Sequence, residues 1–156
     1  MEIRYHTPLT PEEQIAHGLS DPQPLALADK VRFAELDLQN HVNNKAYMTW
    51  FESARVGYSD RFMLPTLGQR PRFMVHSLSL RFIREMLMGE DYIVTCRVSA
   101  FRNSSYTLDQ QLWSGDMRAR MSVVMVMATR DGSARMEIPD ELRKVFVERD
   151  GAVDER

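Results

Sequence analysis

Glu35-Leu36-Asp37-Leu38-Gln39-Asn40-His41-Val42-Asn43-Asn44-Lys45-Ala46-Tyr47 sets an acid, an imidazole and two amides into one short polar stretch. Just upstream, Val31-Arg32-Phe33-Ala34 alternates apolar with polar or small residues, which predicts a half-buried strand. Downstream, Tyr47, Trp50, Phe51, Ala54 and Tyr58 recur at helical spacing, and Asn43 or Asn44 suits the opening of that helix. On this reading Asp37 closes a strand and a helix starts a few residues later. The helix carries Val56 and Phe62 on further sides, so it predicts burial over most of its circumference, as one curved antiparallel sheet wrapped around it would provide.

Beyond the helix, which is expected to fray near Met63-Leu64-Pro65, strand patterns follow one another without a further helical period. Residues 73–84 alternate, 92–100 and 105–113 flank the turn Phe101-Arg102-Asn103-Ser104, and 117–129 form the last long strand. Asp131-Gly132-Ser133 turns the chain, and Pro139-Asp140-Glu141 opens a final helix of about two turns. Residues 1–26 read as an extension with a short helix started by Thr10-Pro11-Glu12-Glu13, in which threonine caps and proline takes the first position. The core domain is expected over 27–149, and 150–156 as a mobile tail. The order is α+β.

A chain of 156 residues, 44% of them hydrophobic, supports one domain with a real core. The net charge of -2 gives no global basic field, so nucleic acid and anionic membranes are not implied as partners. Neither a signal-peptide pattern nor a bilayer-length apolar run stands out, which makes the cytoplasm the expected location. Cys96, the single cysteine, reads as an apolar strand residue. No Gly-x-Ser-x-Gly elbow or phosphate-cradling glycine loop is present. Asp37 and His41 lack the further clustered ligands that a metal site needs.

From Val31 to Arg55 the chain resembles the active-site segment of hot-dog-fold thioesterases of the 4-hydroxybenzoyl-CoA thioesterase type. Asp37, His41, Val42, Asn43 and Asn44 match the Asp-x-x-x-His-Val-Asn-Asn pattern of fatty acyl thioesterases, and Tyr47 to Arg55 is similar to their central helix. The resemblance implies a hot-dog fold, with a sheet of about five strands around one long helix. It implies acyl-CoA thioester hydrolysis without a cofactor, coenzyme A or acyl carrier protein being the thiol carrier. A homodimer or homotetramer with the acyl cleft between subunits is implied as well.

The residues alone favour a loop or capping acid for Asp37, and the resemblance reverses that, making it the nucleophile or general base. It makes His41 an orienting or proton-handling partner. The backbone N–H groups at the helix start, including that of Asn44, form a ready oxyanion site, with the Asn43 and Asn44 side chains holding the loop. Gln39 stands where the related enzymes carry asparagine. Tyr47 lines the pocket or joins the core, the core being favoured, with its hydroxyl reaching outward. Lys45, Arg81, Arg84 and Arg102 are candidate partners for coenzyme A phosphates, or solvated charges that blunt a strand edge. Two alternatives stay open on the same fold: an enoyl-thioester hydratase or dehydratase, whose Gly-Asp-x-Asn-Pro-x-His pattern is missing, and a non-catalytic acyl-CoA-binding module.

Overall fold

The alternating stretches become the long strands of one sheet, and the helical stretch packs across it. A computed structural model describes residues 1–156. In chain order the elements are Pro11–Ala16 (α1), Leu25–Lys30 (β1), Asn44–Tyr58 (α2), Leu64–Leu67 (α3), Arg72–Phe82 (β2), Asp91–Phe101 (β3), Ser105–Ser114 (β4), Asp116–Ala128 (β5), Asp140–Asp150 (α4) and Val153–Asp154 (β6). The sheet runs β1-β3-β4-β5-β2, antiparallel throughout, and β6 adds to β3 in parallel. A six-stranded sheet folded around one long helix is the hot-dog fold.

α2 buries Ala46, Tyr47, Trp50, Phe51, Ala54 and Tyr58 on one stripe against the sheet, while Met48, Glu52 and Val56 are exposed. Burial over most of the circumference, expected from the aromatic content, is therefore not found in the single chain. The helix also does not fray at Met63. A π turn at Ser59–Met63 leads straight into α3, where Pro65 sits in the first turn and its missing N–H removes no helical bond. Gly68, at φ 73°, ends the run in the left-handed conformation.

Three expectations need correction. The first strand is Leu25–Lys30, one step earlier than Val31-Arg32-Phe33-Ala34, because its register with β3 ends where Lys30 meets Asp91. Phe33–Glu35 instead forms a 3-10 turn, closed by the Glu35 carboxylate accepting from the Arg32 N–H at 2.8 Å. The final helix extends to Asp150 rather than two turns. The end of the chain is tied down as well: Ala152 is buried, Val153 pairs with Ala100, and the Glu155 N–H donates to the Phe101 carbonyl.

The N-terminal extension covers the outer face and edge of β1. His6 and Leu9 donate backbone N–H groups to Ala28 and Ala26, and Leu9 and Leu19 pack with Ala26, Ala28 and Ile93 in a small second core. α1 carries the capping box anticipated from its sequence, with Thr10 and Glu13 satisfying each other's backbone N–H groups. No helix is long and apolar enough to cross a membrane.

Candidate active site

The segment from Leu36 to Val42 folds back on itself as a small hairpin. Leu36 bridges Val42, the Asp37 N–H donates to the His41 carbonyl at 2.8 Å, and the Asn40 N–H donates to the Asp37 carbonyl at 3.1 Å. Asn40 takes φ 61°, the left-handed conformation that closes a three-residue hairpin loop and that asparagine tolerates better than most side chains. The Asp37 carboxylate belongs to this turn. Its Oδ1 accepts from the Gln39 N–H at 2.8 Å and the His41 N–H at 3.2 Å, leaving Oδ2 without a protein partner. Asp37 thus sits in a turn after a 3-10 helix and does not end a strand.

Asn43 joins this hairpin to α2. It is the N-cap, its Oδ1 accepting from the Ala46 N–H at 3.0 Å, while its Nδ2 and its own backbone N–H both donate to the Glu35 carbonyl at 2.9 and 2.8 Å. Of the four N–H groups that a helix start leaves unpaired, those of Asn43 and Ala46 are consumed in this way. Those of Asn44 and Lys45 remain free, with the positive end of the helix dipole behind them. The Asn43 side chain is therefore a clamp, and the free donors are main-chain groups.

A second wall comes from the segment after β2. The Val42 N–H donates to the Met86 carbonyl, His41 bridges Leu87, and Arg118 from β5 donates to the Glu85 carbonyl at 2.8 Å. Arg118 is buried and also contacts Glu90 at 2.9 Å and Asp116. Burial opposes its charge, but these carboxylates outweigh that cost and its pKa is raised. Glu35 fixes the opposite side, its Oε2 accepting from the Trp50 indole N–H at 2.6 Å while Trp50 stacks on Tyr92. Sequence reasoning missed Arg118, whose partners Glu85 and Glu90 lie about thirty residues away along the chain, and gave Glu35 no role although it begins the quoted motif.

The result is an open cleft of about 520 Å³, lined by Asp37, His41, Asn43, Asn44, Tyr47 and Arg84 together with Val42, Phe82, Ile83 and Glu85. Six of the ten residues singled out in the sequence thus meet in one place. Gln39 and Lys45 are exposed beside it but are not part of its lining. Arg81 lies on β2 opposite Arg120, outside the lining, and Arg102 is at the far end of β3, paired with Glu155. Arg84 reaches Asp116 at 2.9 Å. Tyr47 is buried, edge-on to Phe82 at 5.0 Å, and burial raises its phenol pKa against the opposing pull of the Met86 backbone N–H.

A helix start with free amides, a carboxylate held in an adjoining turn and the rim of a hot-dog sheet meet at this cleft. The chain belongs to the thioesterase-like superfamily, whose sequence model matches residues 31–146. Among solved structures it is similar to a thioesterase superfamily protein from Jannaschia sp. CCS1, at 39% identity over 97% of this chain and 98% of that one, with a TM-score of 0.88. It is also similar to a thioesterase from Thermus thermophilus complexed with coenzyme A and Zn, at 26% identity over 79% of this chain and 97% of that one, with a TM-score of 0.70. The uncharacterised protein YsmA of Bacillus subtilis (strain 168) is 24% identical over 119 residues, 75% of this chain and 81% of its own.

Proposed function

We propose that the protein hydrolyses an acyl thioester to a carboxylic acid and a free thiol, with coenzyme A or an acyl carrier protein as the leaving group. The observation that carries this reading is the shared lining of one cleft by Asp37, His41 and the Asn44 helix end. A thioester carbonyl at the free Asn44 and Lys45 amides gains charge on oxygen as it is attacked, and preorganised N–H donors stabilise that charge without reorganising. Asp37 Oδ2, unpartnered, supplies the attacking oxygen or takes a proton from water. His41 orients the acid or the water. Its backbone N–H already holds Asp37 Oδ1. Arg84 offers a cation at the cleft edge for a phosphate of the carrier. The membership of the superfamily and the coenzyme A bound by the Thermus thioesterase support the class of reaction.

A second copy completes this reading. β2 is an edge strand with Met74, Val75, Leu78, Phe82 and Ile83 exposed along or just beyond it, and the cleft opens beside it. Such an edge is a template for pairing with another chain. A homodimer through β2, or a tetramer built from it, would cover these residues and enclose the cleft.

Asp37→Asn is the decisive variant, because an amide oxygen can keep the turn bonds from Gln39 and His41 while removing the charge. Measured as thiol release across a panel of acyl-CoAs and acyl carrier protein substrates, it is expected to lose about 10²- to 10⁴-fold in turnover. Its melting temperature stays close to wild type. Unchanged turnover would overturn the role given to Asp37, and hydration of an enoyl-CoA without thiol release would favour the hydratase reading.

A further inference from the structure

One side chain organises the wall that faces Asp37. The Arg118 side chain, on β5, is 8% exposed, and all five of its N–H groups find acceptors. Nε donates to Asp116 Oδ1 at 2.5 Å, Nη1 to the Glu85 carbonyl at 2.8 Å and to Glu90 Oε2 at 3.2 Å, and Nη2 to Glu90 Oε1 and the Ser114 carbonyl, both at 2.9 Å. The Arg118 carbonyl accepts in turn from the Ile83 and Arg84 N–H groups at 2.9 and 3.2 Å. Glu90 passes the grip on, its Oε2 also accepting from the Leu87 N–H at 2.7 Å. Residues 83–90 are therefore fastened to β5 at both ends by one residue.

That segment belongs to no helix or strand, so it has no ladder of its own to hold it. Ile83, Arg84 and Glu85 line the Asp37 cleft and are exposed, and Met86 is the one buried side chain between 83 and 90. From here the contacts run to the acid in two links. The Met86 carbonyl accepts from the Val42 N–H at 2.9 Å and Leu87 bridges His41, while the His41 carbonyl accepts from the Asp37 N–H and the His41 N–H donates to Asp37 Oδ1. Arg118 is not part of the cleft lining, so what it contributes there passes through Glu85, Met86 and Leu87. The Asn44 and Lys45 amides are aimed by the Asn43 cap instead, and Arg84 is held by Asp116.

We propose that Arg118 is a positioning residue for the proposed hydrolysis: it fixes the 83–90 wall, and through it the placement of the Asp37 carboxylate against a thioester carbonyl seated on the Asn44 and Lys45 amides. The inference rests on the reading of the cleft given above. Lysine does not replace it. An ammonium is a point charge that can meet Glu90, whereas the guanidinium plane spans two backbone carbonyls and two carboxylates at once. Without that span the wall and the Asp37 hairpin shift together, and a displacement of about 1 Å at the reacting atoms can cost about 10²-fold in rate. Substrate binding is spared, because the amides and Arg84 keep their own supports. The signature is therefore a fall in kcat with KM little changed.

The test compares Arg118→Lys with Arg143→Lys in the full chain. Arg143 is also 8% exposed, clamps α4 to the Asn103 carbonyl and lies outside the cleft lining, so its substitution reports what loosening a buried arginine does to the fold alone. Thiol release from acyl-CoA, measured below either melting transition, is expected to fall about 10- to 100-fold in kcat for Arg118→Lys with KM within about threefold, and to stay near wild type for Arg143→Lys. Hydrogen exchange at the Asp37 and Val42 amides is expected to quicken by about tenfold in Arg118→Lys and not in Arg143→Lys, while amides in the middle of α2 keep their protection. A wild-type kcat in Arg118→Lys would overturn the proposal, as would unchanged exchange at Asp37 and Val42 or an equal kcat loss in Arg143→Lys. Exchange needs no substrate, so a wild-type protein that releases no thiol while Arg118→Lys still loosens Asp37 and Val42 would overturn the hydrolysis reading and leave the brace standing.

Discussion

Replacing Asn43 by alanine removes two side-chain bonds at the hinge between the Asp37 turn and α2. The first is the cap from Oδ1 to the Ala46 N–H, and losing an asparagine cap costs about 1 kcal/mol. The second is Nδ2 to the Glu35 carbonyl, a part-buried bond whose net contribution is about 0.5–1.5 kcal/mol. The Asn43 backbone N–H still donates to the same carbonyl, so the loop is loosened and not released. The two losses sum to roughly 1.5–2.5 kcal/mol, which for a chain of this size lowers the melting temperature by about 3–10 °C. Asn43→Ser separates them, because serine caps well but is too short to reach Glu35. Urea unfolding of wild type, Asn43→Ser and Asn43→Ala is expected to give a stepwise loss, with the serine variant forfeiting only the second contribution. Thiol release follows the same order, since the free Asn44 and Lys45 amides are aimed by the cap. An alanine variant within about 0.5 kcal/mol of wild type would refute the clamp.

Other perturbations reach the same scaffold from different sides. Glu35→Ala leaves the Trp50 indole N–H and the Arg32 N–H without their acceptor, a loss of about 1–3 kcal/mol, and near-ultraviolet dichroism reports the disturbed Trp50–Tyr92 stack. Gly18→Ala places a Cβ 2.6 Å from the Gly115 carbonyl oxygen at φ 107°, so it is expected to destabilise the extension, seen as earlier proteolysis before Leu25. Glu13 is held at about 2, first by the side-chain bond from Arg4 and then by the Thr10 N–H. A carboxylate lowered in the folded state stabilises fully above its ordinary 4.5 and loses that effect as pH falls toward 2. The protection factors of α1 amides, taken relative to intrinsic exchange at each pH, are therefore expected to fall across that window in wild type and to change little in Glu13→Gln.

The strands downstream of α2 were legible because alternation is written locally: residues 73–84, 92–100, 105–113 and 117–129 overlap β2 to β5 closely. The start of α2 at Asn43 and Asn44 was legible for the same reason, since capping needs only the side chain and the amide three residues on. Val31-Arg32-Phe33-Ala34 misled because its alternation is real while its burial stops at Val31. Phe33 is 80% exposed, and the chain has already left the sheet. The tail misled in the opposite sense, its polar composition concealing one short parallel pairing with β3.

Sequence by itself determined α1, α2, the strands β2 to β5 and the chemical inventory of Asp37, His41 and the two asparagines, because caps, turns and alternation act over a few neighbouring residues. Tertiary structure alone decided that Asp37 turns one oxygen into its own hairpin and that Arg118 braces the facing wall from β5. Those are properties of groups that only the folded chain brings into register. Hydrogen-bond satisfaction and charge pairing depend on which groups the fold sets within about 3–4 Å of each other, and no local pattern encodes that.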